Sequence, residues 1–453
     1  MSDAALEGPG LVLGLGVTGR AVAAALVRRG IGAVLVDDRP DDAARRLADE
    51  LGSKLHEAPR GEDLAALIAS VGGVVPSPGV PENHPVFALA DRAGVPVVGE
   101  LDLAAAWDDR PCLAITGTDG KTTVTTLVTS MLEASGVAAV DAGNTEVPLV
   151  AAIDDPDPAV FVVEASSFRL APLRRFRPAV GTWLNFAPDH QDVHRSLAAY
   201  EAAKANLWAR NTADQLAVAN YDDPIVSAHA APLPVVEAFG LGPRAGPLAR
   251  RPRWHVDGCS LRSPDGEAFL AVAELHRAFP HDLANALAAT ATAIGGGATL
   301  DGVASALRAF RGLAHRVTLV GEAGGVAWYD DSKATAPHAT LAALAGFESA
   351  VLIAGGRNKG LDLRELASAG PRLRAVVAIG EAAPEVAAAF AGVRPVETAG
   401  SMDDAVERAR RLARPGDVVL LSPGCASFDR YRSYGERGDD FARAVRAVLE
   451  AAT

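Results

Sequence analysis

Short apolar runs alternate with stretches of helical period from one end of the chain to the other. Residues 11–13 form a strand-like run, 21–29 have helical spacing, and 33–36 are apolar again before Asp37 and Asp38. The alternation returns at 111–115, followed by a helix-like 124–135. Further strand-like runs lie at 325–329, 350–354, 375–379 and 418–421. Strand and helix in alternation predict parallel sheets covered by helices, an α/β protein. The first set of units ends near Gly99, and a new strand-rich unit starts at Val317, after a helix that ends near Gly312. These breaks divide the chain into 1–99, 100–312 and 313–453. The Pro/Gly/Arg-rich stretch 240–253 reads as a surface loop of the middle region. No short repeat is visible, and the Ala-rich stretches read as helices.

Composition narrows the class. A chain of 453 residues exceeds one ordinary core, and about three domains are expected. The net charge of −13 and pI near 5.3 argue against nucleic acid or an anionic membrane as main partner. Any phosphate site is then a local positive pocket in an acidic body. Three widely spaced cysteines give neither a disulfide framework nor zinc spacing. The N-terminal residues lack the pattern of a signal peptide, and no apolar run is long enough to span a membrane. A soluble cytoplasmic protein, monomeric, is expected.

The most telling stretch is ITGTDGKTT, residues 115–123, between a strand-like run and a helix-like segment. Backbone N–H groups at such a turn point at anionic oxygens. Lys121 has the reach for the β/γ-phosphates, and the Thr122 hydroxyl suits Mg²⁺. The pattern is shorter than a full Walker A, because Ile115 stands where the first glycine would be. GLGVTG, residues 14–19, matches G-x-G-x-x-G between a strand and a helix, with Asp37 and Asp38 downstream. Alone it suggests a nicotinamide-dependent dehydrogenase, and a nucleotide sugar fits equally well. It also fits glycines that serve only tight helix–strand packing.

Only five of the 43 basic residues are lysine: Lys54, Lys121, Lys204, Lys333 and Lys359. A chain that writes Arg almost everywhere retains Lys where a guanidinium cannot serve. Lys54 reads as chance survival; the other four fall near candidate chemistry. Glu164 ends the apolar run of VVEASSF, where a carboxylate can hold Mg²⁺, although any single strand-end Glu is more often surface. Asp189 and His190 end NFAPDH, a weak signal beside the default of a polar turn. Lys204 lies in YEAAKANL, where the plain reading is a surface lysine paired with Glu201. DDSKAT (330–335), GGRNKG (355–360) and SPGCASFDRYRSYGERG (422–438) each follow a strand-like run, and together they read as one binding edge.

In their order along the chain, GLGVTG, ITGTDGKTT, EASSF, HDLANALAA, GLAHR, DDSKAT and SPGCAS resemble the Mur ligase family. DDSKAT with SPGCASFD resembles the member that adds D-glutamate. The resemblance implies three domains: Rossmann-like for the UDP-sugar, a central P-loop ATPase α/β domain, and a Rossmann-like C-terminal domain for the amino acid. It implies ATP-dependent addition of D-glutamate to UDP-N-acetylmuramoyl-L-alanine through an acyl phosphate, a step of peptidoglycan precursor synthesis. By resemblance, Gly117, Thr118, Asp119, Gly120, Lys121, Thr122 and Thr123 cradle the ATP phosphates. Asn285, His315, Arg316 and Asp331 contact adenosine or phosphates. Thr122 and Glu164 hold one Mg²⁺; His190 and Lys204 hold a second, with Lys204 carbamylated. Val17, Thr18, Asp37, Asp38, Arg39, Ser77, Gly79 and Asn144 line the UDP-sugar site. Lys333, Thr335, Lys359, Ser427 and Tyr434 receive D-glutamate.

The chain departs from the usual family pattern at several places. Asp119 stands for Asn, Thr145-Glu146 for Ile-Gly, Ala187 for a hydroxyl residue and Asp282 for Asn. Arg357-Asn358 stand for Asp-Gly, and Tyr434 for Phe. Two other readings fit parts of the chain. An oxidoreductase leaves ITGTDGKTT and four lysines unexplained. A non-catalytic nucleotide-binding module leaves Glu164, His190 and Lys204 unexplained.

Overall fold

The computed structural model describes residues 6–190, 193–243 and 246–451. Arg244 and Ala245, within the loop expected over 240–253, lie outside them, as do the first five residues. The chain forms two compact units. Three sheets account for the strands of the described residues.

The first sheet contains β1 (Gly10–Leu13), β2 (Ala33–Asp37), β3 (Leu55–Glu57) and β4 (Gly73–Pro76), parallel in the order β3-β2-β1-β4. The second contains β5 (Cys112–Thr116), β6 (Ala139–Gly143), β7 (Val160–Glu164), β8 (Val180–Trp183) and β9 (Leu216–Asn220). It continues through β10 (Val236–Phe239), β11 (Arg253–Asp257), β12 (Ser260–Arg262) and β13 (Ala268–Ala271). Its order is β13-β12-β11-β10-β9-β8-β5-β7-β6, parallel except for the final β11-β12-β13 meander. Strands β5, β7 and β8 are almost wholly buried, so they read as unbroken apolar runs, as strands covered on both faces do.

One buried apolar cluster joins Val12, Leu15 and Val22 of the first sheet's layer to Leu101, Leu149, Phe161 and Trp183 of the second. The two sheets therefore share a core, which makes them one compact unit. The second unit holds β14 (Thr318–Ala323), β15 (Val326–Asp330), β16 (Ala350–Gly355), β17 (Leu373–Ile379), β18 (Val396–Thr398) and β19 (Val418–Leu421). Their order is β14-β15-β19-β16-β17-β18, parallel except for the β14-β15 hairpin. Its own clusters lie on the two faces of this sheet. The short stretch with His190 belongs to this unit.

Sequence periodicity places most of these elements, but starts two helices late. The helices Val17–Arg28 and Lys121–Ala134 each begin inside the glycine motif before them. Their first turns, VTGR and KTTV, carry too few apolar residues to show a period.

Candidate functional site

The loop after β5 turns on two glycines. Gly120 sits at φ +84, and a Cβ there would stand 2.6 Å from Asn285 Oδ1, so backbone freedom and space both demand glycine. Asn285 is thereby brought against the loop. The Thr118 and Asp119 amides donate to Asn185 Oδ1 at 2.9 Å each. Asn185, which stands at the end of the apolar run of β8, has no place among the residues expected from sequence. Lys121 starts the helix Lys121–Ala134, with Thr122 and Thr123 in its first turn. Its Nζ donates to the carbonyls of Gly117 and Thr118, both at 2.9 Å.

Lys204 is not a surface lysine. It is 1 % exposed, donates to the Gly117 carbonyl at 2.6 Å and lies 4.7 Å from the Tyr200 ring centroid. Glu201, its expected partner, instead meets His229 at 2.8 Å. Two lysine amines thus bond the same loop carbonyl, and the Tyr200 hydroxyl meets Thr118 Oγ1 at 3.2 Å. Burying an ammonium is costly unless it is partnered, so this lysine is held for a purpose other than solubility. Lys54, read as chance survival, is exposed.

Glu164 ends β7, in register with Ile115 of β5, so its carboxylate stands beside the start of the phosphate loop. It is buried, and Oε1 accepts from Asn144 Nδ2 at 2.8 Å. Oε2 is buried with no partner among the described residues. A buried, half-satisfied carboxylate is the donor a hard cation requires. Asn144, expected at the sugar, is held here beside Glu164.

In the first sheet, β1 and β4 are neighbours, and their following loops carry GLGVTG and Ser77-Pro78-Gly79. Ser77 Oγ donates to the Gly14 carbonyl at 2.6 Å. A Cβ on Gly19 would strike that same carbonyl, so this glycine serves close packing. Asp37 Oδ2 accepts from the Leu15 amide at 2.6 Å and Oδ1 from the Arg39 amide at 2.7 Å, bracing the glycine loop. Asp38 pairs with Arg60 at 2.9 Å and with His84 at 3.3 Å. Val17 is 56 % exposed. Thr18 is buried and accepts from Arg169 at 2.8 Å.

In the second unit, the three loops expected to form one edge follow β15, β16 and β19, which are adjacent parallel strands. Backbone bonds tie them together: Arg357 and Ala426 exchange amides at 2.8 and 3.0 Å, and the Gly424 amide donates to Ala334 at 2.9 Å. Lys333 Nζ stands 3.9 Å over the Tyr434 ring, while Ser427 is buried and Thr335 and Lys359 are half-buried. His315, at φ +59, has Nδ1 2.6 Å from Asp330 Oδ2, and its ring lies edge-on to Tyr434. Arg316 lies between His315 and Val317. Asp331 accepts from Ser422 Oγ at 2.7 Å and the Val317 amide at 3.3 Å; burial pushes its carboxyl up to about 8. His190 is at φ +55 and its amide donates to Asp189 at 2.7 Å.

Arg437 binds this edge from beneath. It is 1 % exposed and donates to Ser332 Oγ at 2.9 Å, Ser332 O at 2.8 Å and Cys425 O at 3.1 Å. Desolvation lowers its guanidinium to about 10. The sequence showed it only as part of YGERG.

Three family models match the chain: a Mur ligase MurD-like N-terminal domain over residues 9–99, a Mur ligase middle domain over 115–293, and a Mur ligase glutamate ligase domain over 315–425. The chain is 44 % identical to UDP-N-acetylmuramoylalanine–D-glutamate ligase of Frankia casuarinae, covering 97 % of this chain and 94 % of that protein. It is 39 % identical to the protein of the same name from Pelotomaculum thermopropionicum, covering 97 % of each. Its fold is similar to that of a pseudomurein peptide ligase type C from Methanothermus fervidus, with TM-score 0.59, 17 % identity and coverage of 99 % and 100 %. It is also similar to UDP-N-acetylmuramate–alanine ligase from Thermotoga maritima, with TM-score 0.56, 18 % identity and coverage of 98 % and 99 %.

Proposed function

The chain belongs to the Mur ligase family, and we propose that it joins D-glutamate to UDP-N-acetylmuramoyl-L-alanine with ATP as the energy source. Relatives carrying that name, similar along nearly the whole chain, support the choice of substrates. The observation that carries the reading is the convergence of Lys121 and Lys204 on the Gly117 carbonyl. Glu164 stands beside them on the neighbouring strand.

In this reading, the substrate's L-alanyl carboxylate attacks the γ-phosphorus of ATP. An O–P bond forms and the bond to ADP breaks, leaving an acyl phosphate. The D-glutamate amine then attacks the acyl carbon, the C–N bond forms, phosphate leaves and the nitrogen loses its proton. The amides from Gly117 to Thr123 and the start of the helix Lys121–Ala134 receive the phosphates. Lys121 exchanges its loop carbonyls for a phosphate oxygen. Mg²⁺, when bound, neutralises charge on the phosphoryl group in transfer. Thr122 and the Glu164 oxygen that has no partner among the described residues fit one such ion. Lys204 is assigned to a second, as a carbamate: its neutral amine adds to CO₂, a C–N bond forms, and one proton is released. His190 keeps its assignment as a metal ligand on the family resemblance alone. Asn285, His315, Arg316 and Asp331 are assigned to ATP, the loops after β1 and β4 to the UDP-sugar, and Lys333, Thr335, Lys359, Ser427 and Tyr434 to D-glutamate. The segments 1–99, 100–312 and 313–453 are assigned chiefly to the sugar nucleotide, ATP and the amino acid in turn, with His315, Arg316 and Asp331 of the third assigned to ATP, in a cytoplasmic monomer.

The test is phosphate release from ATP with Mg²⁺ and UDP-N-acetylmuramoyl-L-alanine. D-glutamate, L-glutamate, lysine, diaminopimelate and no amino acid are compared. Release that requires D-glutamate is expected. Release with another amino acid moves the chain to a different step, and no release with any of them overturns the reading.

A further inference from the structure

Arg169 follows EASSF on the helix Ser167–Leu170, five residues beyond Glu164. Nothing in the proposed reaction uses it, yet it is 6 % exposed, a buried cation. Its Nη1 donates to Glu100 Oε2 at 2.5 Å and its Nη2 to Thr18 Oγ1 at 2.8 Å. The other Glu100 oxygen accepts from the Val150 amide at 2.8 Å, which fixes the carboxylate. Arg169 Nε is buried without a partner among the described residues. A residue of the second sheet's layer therefore reaches the first turn of the helix that follows GLGVTG.

The chemistry of that contact is one-sided. A guanidinium has five N–H donors and no acceptor. The Thr18 hydroxyl can only accept from it, and its own proton has no acceptor among the described residues. That proton is left for an incoming acceptor at the N-terminus of the helix Val17–Arg28. Glutamine in place of arginine could turn its carbonyl to Thr18 and take the proton.

We propose that Arg169 is a positioning residue for the sugar nucleotide: by occupying one lone pair of Thr18, it presets the threonine hydroxyl as a donor to the diphosphate. Glu100 neutralises the buried guanidinium and sets its direction. The proposal rests on the UDP-sugar reading of the loop after β1. It gives the buried Glu100–Arg169 pair a task that packing alone does not require, since such pairs are weak sources of stability.

The experiment is titration calorimetry of the full chain with UDP-N-acetylmuramoyl-L-alanine and, separately, with ATP. Arg169→Gln alone strands Glu100, so the double variant E100Q/R169Q is the working form; T18V and the triple variant complete the cycle. Both E100Q/R169Q and T18V are expected to weaken sugar-nucleotide binding by about tenfold, the loss of one charge-assisted hydrogen bond. ATP affinity is expected to stay unchanged. The triple variant should bind no more weakly than T18V, because Arg169 acts through that hydroxyl. Multiplicative losses in the triple variant, or normal sugar-nucleotide binding by E100Q/R169Q, overturn the proposal alone. No binding of the sugar nucleotide by the unsubstituted chain overturns the functional reading beneath it.

Discussion

Lys204 shows how much one side chain can carry. Its amine rests on the Tyr200 face and on the Gly117 carbonyl, with 1 % of the residue exposed. An arginine there would place a wider, always-charged group against the loop and could not form a carbamate. Lys204→Arg and Lys204→Ala should therefore both lose on the order of 10²- to 10³-fold in kcat. Short carboxylic acids should restore part of the activity of the alanine variant only. A Lys204→Arg chain with normal turnover removes the metal role. Asp331 gives a second residue-scale test. Its ordinary value of 3.8 is raised to about 8, first by burial and then by the neighbouring Asp330, against the donors Ser422 and Val317. The folded chain thus keeps a proton that the unfolded chain has lost. The stability this lends is complete below pH 3.8 and is lost as pH climbs to about 8. Asp331→Asn, whose amide can donate to Ser422 and accept from Val317, should flatten that part of the decline. Melts of both chains at several pH values, read at Trp328 of β15, check it.

At the scale of elements, adjacent strands bring scattered motifs to one edge, and buried residues hold their loops in place. Arg437 links the loop after β15 to the loop after β19 through Ser332 and Cys425. Arg437→Met should leave the Ser332 and Cys425 carbonyls unmatched, while the Ser332 hydroxyl keeps its bond to the Tyr434 carbonyl, and cost about 3 kcal/mol or more. Its KM for D-glutamate should rise while ATP affinity in the first unit's loop changes little. Arg437→Lys should not rescue it, because one ammonium cannot reproduce the three-way fork. Denaturant melts and steady-state kinetics separate the two effects. The strands and the order of the loops could be read from sequence because buried parallel strands are apolar without interruption. The three C-terminal loops were legible as one edge because each follows such a run. Asn185, Tyr200, Arg169 and Arg437 were not legible. Each owes its role to a partner far along the chain, 151 residues away for Arg169 and Thr18 and 105 for Arg437 and Ser332. Helical period sees neither contact. Three departures from the family pattern have partners of their own in the structure, near or far along the chain: Asp282 meets Arg277 at 3.1 Å, Arg357 meets Glu381 at 3.1 Å, and Tyr434 lies under Lys333.

For the whole molecule, the distribution of cores sets how it unfolds. The first and second sheets share one apolar cluster and are further joined by the buried Glu100–Arg169–Thr18 chain. The second unit has separate clusters on the two faces of its own sheet. Calorimetry should therefore resolve two transitions, although the described residues form three sheets. Four of the five tryptophans lie in the first unit, while Trp328 alone belongs to the second, so a chain lacking Trp328 separates the signals. UDP-N-acetylmuramoyl-L-alanine, if held by the loops after β1 and β4, stabilises the first transition by about 2.7 kcal/mol at about 100 times its Kd. By itself it should leave the Trp328 transition where it was. E100Q/R169Q, which replaces a pair that is a weak source of stability, should change the first transition little and not split it, because the shared apolar cluster remains. Three transitions in the unsubstituted chain would mean that the two N-terminal sheets fold as independent bodies, with Arg169 bridging them rather than lying inside one.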